Sequence, residues 1–399
     1  MSGATLPATP DDNHEGDMAR RAGSVMEAHW RPPGFCVPHA ASYPWQWLWD
    51  SCFHAVCWAH LGHSDRAVTE LANVLAHQAP DGFVPHMTYW DGDTRHAAFW
   101  GRPGTSSITQ PPMYGHAVAE LLRLGVEVPP EVVDRSRRGL RFLLDARVRD
   151  GGGLVVVHPW ESGCDDSPRW DGWSAPDQWS FARWKVRKGE LVEALRLDPA
   201  SASARGSTQF EVASAGFNAL VAFNAGQLAR AIGDERLAAD AAGLVEWVAA
   251  RWEPDLATWT DDVVVGPSVT GGVRTLDALL PVLVCDDSAA VDAAFAEIRD
   301  PQAFGGPYGP SGVHRAEPAF EATAYWRGPS WPQLTYLLWV AAQRRGRAED
   351  ASWLATRLRA GAGRSGLAEY WHPDTGAGLG AIPQSWAALA AVVGAERPR

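Results

Sequence analysis

Glycine-punctuated helical hairpins recur along this chain, and that recurrence limits the folds open to it. Apolar residues fall at helical spacing over 50–61, 65–78, 109–124, 130–146, 178–197, 209–232, 235–252, 276–297, 331–344, 350–362 and 385–394. "GHSDRAVTELANVL" from Gly62, "GDERLAADAAGLVEWV" from Gly233 and "GRAEDASWLATRL" from Gly346 each follow one apolar helix and open another. Glycine suits the end of a helix, and an acidic or hydroxyl residue just after it can cap the next. Strand-like alternation is rare; "GGLVVV" and "DDVVVG" are too short to build a main sheet. Helical hairpins stack into an open solenoid or close into a ring, and solenoids have more regular loops. The unequal pairs and long connections favour an all-α (α/α)6 barrel, a closed toroid over 16–399 behind a flexible tail at 1–15.

The connections at 79–108, 148–177, 299–330 and 363–384 are rich in glycine and tryptophan. Loops this long in a compact domain are functional or disordered, and their tryptophans argue against disorder. In a helical barrel they gather at one mouth and frame a pocket. The more charged, then Ala/Ser-rich, stretch 183–207 reads as a lid or cap segment, with a solvated surface connection as the equal alternative. Tryptophan outnumbers tyrosine by 21 to 7, and indole faces suit the C–H faces of sugar rings. Either several indoles, five or more, line a pocket or most fill the core.

Composition narrows the partners. A net charge of −12 disfavours nucleic acid and anionic membranes, which need a basic face. No window holds the apolar run of a spanning helix, and "MSGATLPATPDDNHEGD" lacks the pattern of a secretory signal, so a cytoplasmic location is expected. The five cysteines form no CxxC pair and are expected to be reduced. His54, His60 and His63 lack the i, i+4 ligand spacing, "GGG" at 151–153 lacks a phosphate-loop context, and no EF-hand-like run is visible. No metal or cofactor is expected. A small-molecule carbohydrate is the expected partner, and a homo-oligomer stays open.

Hydrolysis of a glycoside takes two carboxyl groups, one protonated to release the leaving oxygen and one ionised. "HPWESGCDDSPRWD" (158–171) offers Glu161, Asp165, Asp166 and Asp171, and "GLAEYWHPDTG" offers Glu369. An acid flanked by Trp160, Pro168 and Trp170 would be partly desolvated, which raises its pKa and keeps its proton near neutral pH. For any single acid, a turn or cap role is the competing reading.

Taken together, "WLWDSCFHA" (47–55), "DGFVPHMTYW" (81–90), "SSITQPP" (106–112), "HPWESGCDDSPRWD", "YWRGPSWPQLTYLL" (325–338), "EYWHPDTG" and "PQSWAAL" (383–389) resemble glycoside hydrolase family 63. They look most like its bacterial glucosylglycerate and mannosylglycerate hydrolase branch, and they occur in family order over 43–389. The resemblance implies an inverting, exo-acting α-glycosidase on an (α/α)6 barrel, with Asp165 as general acid and Glu369 as general base. Inversion calls for carboxyl groups about 6.5 to 9.5 Å apart, leaving room for a water. It also implies a sugar subsite of Trp49, Asp50, Phe53, Gln110, Trp160, Gly163 and Trp331. Tyr43, Tyr89, Trp47, Tyr325, Trp326 and Gln384 resemble the group around the glycerate portion. The family motif usually reads ESGMDNSPRW, so Cys164 and Asp166 depart from it; a local turn bond is expected for Asp166. The chain is shorter than usual for the family between Asp165 and "YWRGP", so a different lid, and with it a different aglycone, is a competing expectation.

The hydrolysis of glucosylglycerate, or mannosylglycerate, to hexose and glycerate is therefore the leading expectation, with another small α-glucoside or an oligosaccharide end as the alternative. A sugar epimerase on the same toroid would make His158 and His372 the proton carriers. A silent sugar-binding protein would have no chemical need for both Asp165 and Glu369.

Overall fold

In the computed structural model, residues 12–90, 96–174, 179–267 and 272–394 are described. In chain order their longer helices are α1 (Asp12–His29), α2 (Leu48–His60), α3 (Ser64–Val74), α4 (Ala97–Trp100), α5 (Tyr114–Arg123), α6 (Pro130–Ala146), α7 (Phe181–Glu193), α8 (Ala215–Ile232) and α9 (Glu235–Ala249). A 3-10 helix (Leu276–Leu283), α10 (Ser288–Arg299), α11 (Pro332–Arg344), α12 (Ala348–Ser365) and a 3-10 helix (Ser385–Ala391) complete the series.

Helix packing closes a ring. α2, α5, α8, Leu276–Leu283, α11 and Ser385–Ala391 each pack on the next, and the last packs back on α2. Outside them, α3, α6, α9, α10, α12 and α1 pair with α2, α5, α8, Leu276–Leu283, α11 and Ser385–Ala391 respectively. The sixth hairpin thus joins the start of the described chain to its end. Sequence decides which helix lies inside. In α2, every residue from Leu48 to Trp58 is buried, whereas α3 buries only Ala67, Glu70, Leu71 and Val74. A helix apolar nearly all round must be enclosed, while one with a single apolar stripe covers it from outside.

The (α/α)6 toroid expected from the hairpins is the observed architecture, with local differences. α1 was not foreseen as a helix; it begins at Asp12, inside the stretch taken as a tail, and residues 1–11 lie outside those described. The apolar run 276–297 splits because Pro281 has no N–H, and α10 starts afresh where Asp287 accepts from Ala289 N and Ala290 N. The run from 109 becomes helical only at Tyr114, beyond Pro111 and Pro112. At the three repeats Gly62, Gly233 and Gly346 all take a positive φ, of 84°, 72° and 67°, and Asp234 accepts from Leu237 N; His63 and Arg347 open their helices without a side-chain cap. The few strands form two-stranded ladders, among them 211–213 with 262–265, and none builds a sheet. Among the described residues all five cysteines are free and buried, and no helix is long and apolar enough to cross a membrane.

Candidate active site

At the end of the ring where the inner helices begin, a small cavity opens to solvent. Trp49 and Asp50 stand in the first turn of α2, Gln110 just before α5, and Gln384 and Trp386 at the start of Ser385–Ala391. Loops supply the rest: Pro38, Tyr43 and Trp47 before α2, Gly163 and Asp165 before α7, Tyr325 and Trp326 before α11, and Glu369 after α12.

Asp165 follows a tight turn whose geometry only glycine permits. The 3-10 helix Pro159–Ser162 ends at Gly163 with φ 76°, and a Cβ there would lie 2.6 Å from the Trp49 ring. Gly163 therefore lets the acid loop close on the indole. The neighbouring acids brace this loop. Glu161 is fully buried, accepting from Arg147 and from the backbone N–H groups of Thr109 (3.2 Å) and Val157 (2.8 Å). Asp171 receives a bidentate pair from Arg327 at 2.8 and 2.6 Å. Arg169 pairs with Asp261 and Asp277. Asp166 makes no local turn bond; its side chain is 0% exposed and pairs with Lys188 of α7. The carboxylate is too deep to solvate, so an ion pair replaces the expected turn contact.

Only Asp165 of this set faces the cavity. Burial raises its pKa to about 7, assisted by the negative charges of Asp166, Glu369 and Asp50 and opposed by Lys188. Glu369 is also raised to about 7 by burial, but its hydrogen bonds oppose the rise. Tyr43 Oη donates to Oε1 at 3.0 Å and the Ala381 N–H to Oε2 at 2.9 Å. Both of its oxygens thus receive donors, which favours the ionised form. Burial lifts both carboxyls into the same range, and the donors on Glu369 are what set its surroundings apart from those of Asp165. Asp50, 4% exposed, is lifted to about 6 by burial and meets Gln384 Nε2 at 3.5 Å.

Eleven of the fifteen residues expected at the site line this cavity: Tyr43, Trp47, Trp49, Asp50, Gln110, Gly163, Asp165, Tyr325, Trp326, Glu369 and Gln384. Four do not. Phe53 is 0% exposed, one helical turn below Trp49, with ring centroids 5.8 Å apart. Trp331 is likewise fully buried, stacked under Trp326 at 3.7 Å and 5°, so Trp326 takes the wall expected of it. Trp326 reaches that position from a backbone φ of 59°, a strained value for an aromatic residue. Tyr89 is buried beside Trp45 and stacked on His96, accepting from Trp100 Nε1 at 2.8 Å. Trp160 turns away to stack near His86 and Trp100. A layer of buried aromatic side chains thus supports the wall from behind.

Pro38 and Trp386 line the cavity and were not anticipated. Trp386 had a signal, since it lies two positions after Gln384 in "PQSWAAL". Four tryptophans line the cavity, so most of the 21 serve the core and its supporting layers. Neither histidine of an epimerase reading faces it. His158 is fully buried, its pKa pushed to about 3 by burial, and its Nε2–H donates to Lys188 O at 2.9 Å. His372 Nδ1 accepts from Asp374 N at 3.1 Å, outside the cavity. Behind α2, Cys36, His54 and Glu70 come together in the core, one donor short of the four that a closed structural zinc site uses.

Known proteins resemble this chain in sequence and in fold. A mannosylglycerate hydrolase of Thermus thermophilus is 29% identical over 90% of this chain and 96% of its own. A glucosylglycerate hydrolase of Mycolicibacterium hassiacum is 30% identical, covering 87% of this chain and 91% of its own. The crystal structure of a family 63 mannosylglycerate hydrolase from Thermus thermophilus, in complex with glucose, superposes with a TM-score of 0.77 at 27% identity over 94% of this chain and 99% of that one. The model of the mannosylglycerate hydrolase MGH1-like glycoside hydrolase domain matches residues 43–387. The chain therefore belongs to the MGH1-like glycoside hydrolases of family 63 and is a glycoside hydrolase.

Proposed function

We propose that the protein is an inverting, exo-acting α-glycosidase that hydrolyses glucosylglycerate, or mannosylglycerate, to the hexose and glycerate. The observation that carries this is the opposite surroundings of two carboxyl groups in one cavity. Asp165, among other acids, keeps its proton; Glu369, with Tyr43 and Ala381 donating to it, keeps its charge. Asp165 gives its proton to the glycosidic oxygen as the bond to the anomeric carbon breaks. Glu369 takes a proton from water, whose oxygen bonds to that carbon from the opposite face. Both groups then return to their starting states by exchanging one proton with solvent.

Asp50 and Gln110 hold sugar hydroxyls, while Trp49 and Trp326 supply the apolar faces. Tyr325 and Gln384 offer neutral donors to the aglycone, beside Tyr43, whose hydroxyl proton is given to Glu369. Among the described lining residues none is lysine or arginine, so a glycerate carboxylate is held by preorganised dipoles. Relatives named for both glycerate glycosides, and a solved relative in complex with Tris and D-glycerate, support this class. The barrel is read as one catalytic unit with 183–207 as its cap.

Proton NMR of the reaction with glucosylglycerate, mannosylglycerate and common disaccharides tests the proposal. Early release of the β-hexose from an α-glycerate glycoside is expected. Early α-hexose would overturn inversion, and turnover of disaccharides alone would overturn the glycerate aglycone.

A further inference from the structure

The ion pair beside the acid does not line the cavity, yet it is almost wholly enclosed. Asp166 is 0% exposed and the Lys188 side chain 8%. A buried pair of this kind is often no more stabilising than apolar residues of the same volume, so its presence next to a reacting group calls for a reason. Three contacts tie α7 to the acid loop. Lys188 Nζ pairs with Asp166, Trp184 Nε1 donates to Asp165 O at 3.0 Å, and Lys188 O accepts from His158 Nε2 at 2.9 Å. The Lys188 ammonium also lies 5.8 Å from the Trp160 ring centroid, which holds it from the other side.

We propose that Lys188 and Asp166 form a positioning pair that fixes the acid loop on α7 and sets the proton affinity of Asp165. This rests on the assignment of Asp165 as the acid. Charged and titratable groups face Asp165 from every side: Asp50 from α2, Glu369 from the loop after α12, Tyr43 and Tyr325 from the flanking loops, Lys188 from α7, and Asp166 on its own loop. Lys188 alone among them is positive; Arg327, which reaches Asp166 O at 3.5 Å, is paired with Asp171. It holds down a proton affinity that the surrounding acids drive up, and Asp166 prevents the ammonium from pairing with Asp165 itself. Removing Asp166 releases that cation onto the acid. Removing both leaves Asp165 close to its present state, because two opposing influences leave together.

The test is the pH profile of kcat/KM for the glycerate glycoside in Asp166→Asn, Lys188→Met and the double variant. Asp166→Asn is expected to move the alkaline limb down by about one pH unit, so that the rate at pH 8 relative to pH 6 falls roughly fivefold. The double variant is expected to restore the limb. In Lys188→Met the stranded Asp166 takes up a proton, so the limb stays near or slightly above its normal position. An unmoved limb in Asp166→Asn, or a double variant displaced as far as that single one, would overturn the proposal. Asparagine keeps an acceptor for Lys188, so Asp166→Asn is the variant to judge by if the others fail to fold. Asp165→Asn is measured alongside: full turnover there would refute the acid itself. The carboxyl carbon signal lost in Asp165→Asn, followed by NMR in the unliganded enzyme, reads the pair's effect without any turnover.

Discussion

The two carboxyl-bearing loops of the cavity are built by opposite means. The loop carrying Asp165 is braced by ions: Arg147 on Glu161, Lys188 on Asp166, Arg327 on Asp171 and Arg169 on Asp261 and Asp277. The loop carrying Glu369 has one such pair, Arg315 on Asp374, and Glu369 itself is held by neutral donors. Glu369 N–H donates to Ala381 O at 2.8 Å and its Oε2 accepts from Ala381 N–H at 2.9 Å, its carbonyl accepts from Trp386 Nε1 at 2.9 Å, and Tyr43 caps its side chain. Direct donors stabilise a carboxylate, whereas acids compensated elsewhere leave a neighbouring carboxyl reluctant to ionise. The molecule thus separates acid from base by what touches each group, although burial acts on both alike.

Substituting the two carboxyl groups should have the largest effect and should break the symmetry between the loops. Asp165→Asn and Glu369→Gln are each expected to lower kcat by about 10²- to 10⁴-fold. Residual profiles should differ: the first loses the alkaline limb and the second the acidic limb. Steady-state rates from pH 5 to 9 check this, and the same limb lost in both would reverse or merge the assignments. Gly163→Ala comes next. A methyl group placed 2.6 Å from Trp49, on a backbone at φ 76°, must displace the indole or the acid. A loss in kcat/KM of about 10²-fold is expected, the size that a 1 Å misplacement can produce. A variant with normal kinetics would show that the close approach is dispensable.

Tyr43→Phe should act more gently and on one loop alone. It removes the donor to Glu369 Oε1, which favours the ionised base. Glu369 then holds its proton to higher pH, so the acidic limb should move up by about one pH unit and kcat/KM near neutrality fall roughly tenfold. A shifted alkaline limb would mean that Tyr43 serves Asp165 instead.

The ring of helices was legible because its signals are local. Apolar period and glycine stops mark the hairpins, and Pro281 alone would have revealed the break that the apolar run concealed. Asp165 and Glu369 were legible through motifs resembling a known family, since neither differs in type from the acids around it. The supporting layer was not legible. Trp326 and Trp331 are both tryptophans in "YWRGPSW", and only the left-handed turn at Trp326 decides which one faces the cavity. Likewise, nothing near Asp166 in sequence indicates that its counter-charge lies on α7. Contacts between distant elements set both outcomes.

Stability offers the smallest and most selective test of the two loops. A carboxyl group whose folded pKa is raised binds its proton more tightly in the folded state than in the unfolded chain. The folded state is therefore favoured least where the group must ionise, and stability falls as pH rises from the ordinary value of 3.8 towards about 7 for Asp165. Asp165→Asn removes that penalty, so the variant should melt higher than the parent by a few °C above pH 7 and match it near pH 4. Glu369→Gln removes a penalty of the same sign but also weakens the bonds from Tyr43 and Ala381, which compensate the charge. Its gain should accordingly be smaller. Scanning calorimetry of both variants at pH 4 and pH 8 measures the difference. Equal gains at pH 8 would mean that burial alone governs both carboxyls and that the hydrogen bonds to Glu369 do little to keep it ionised.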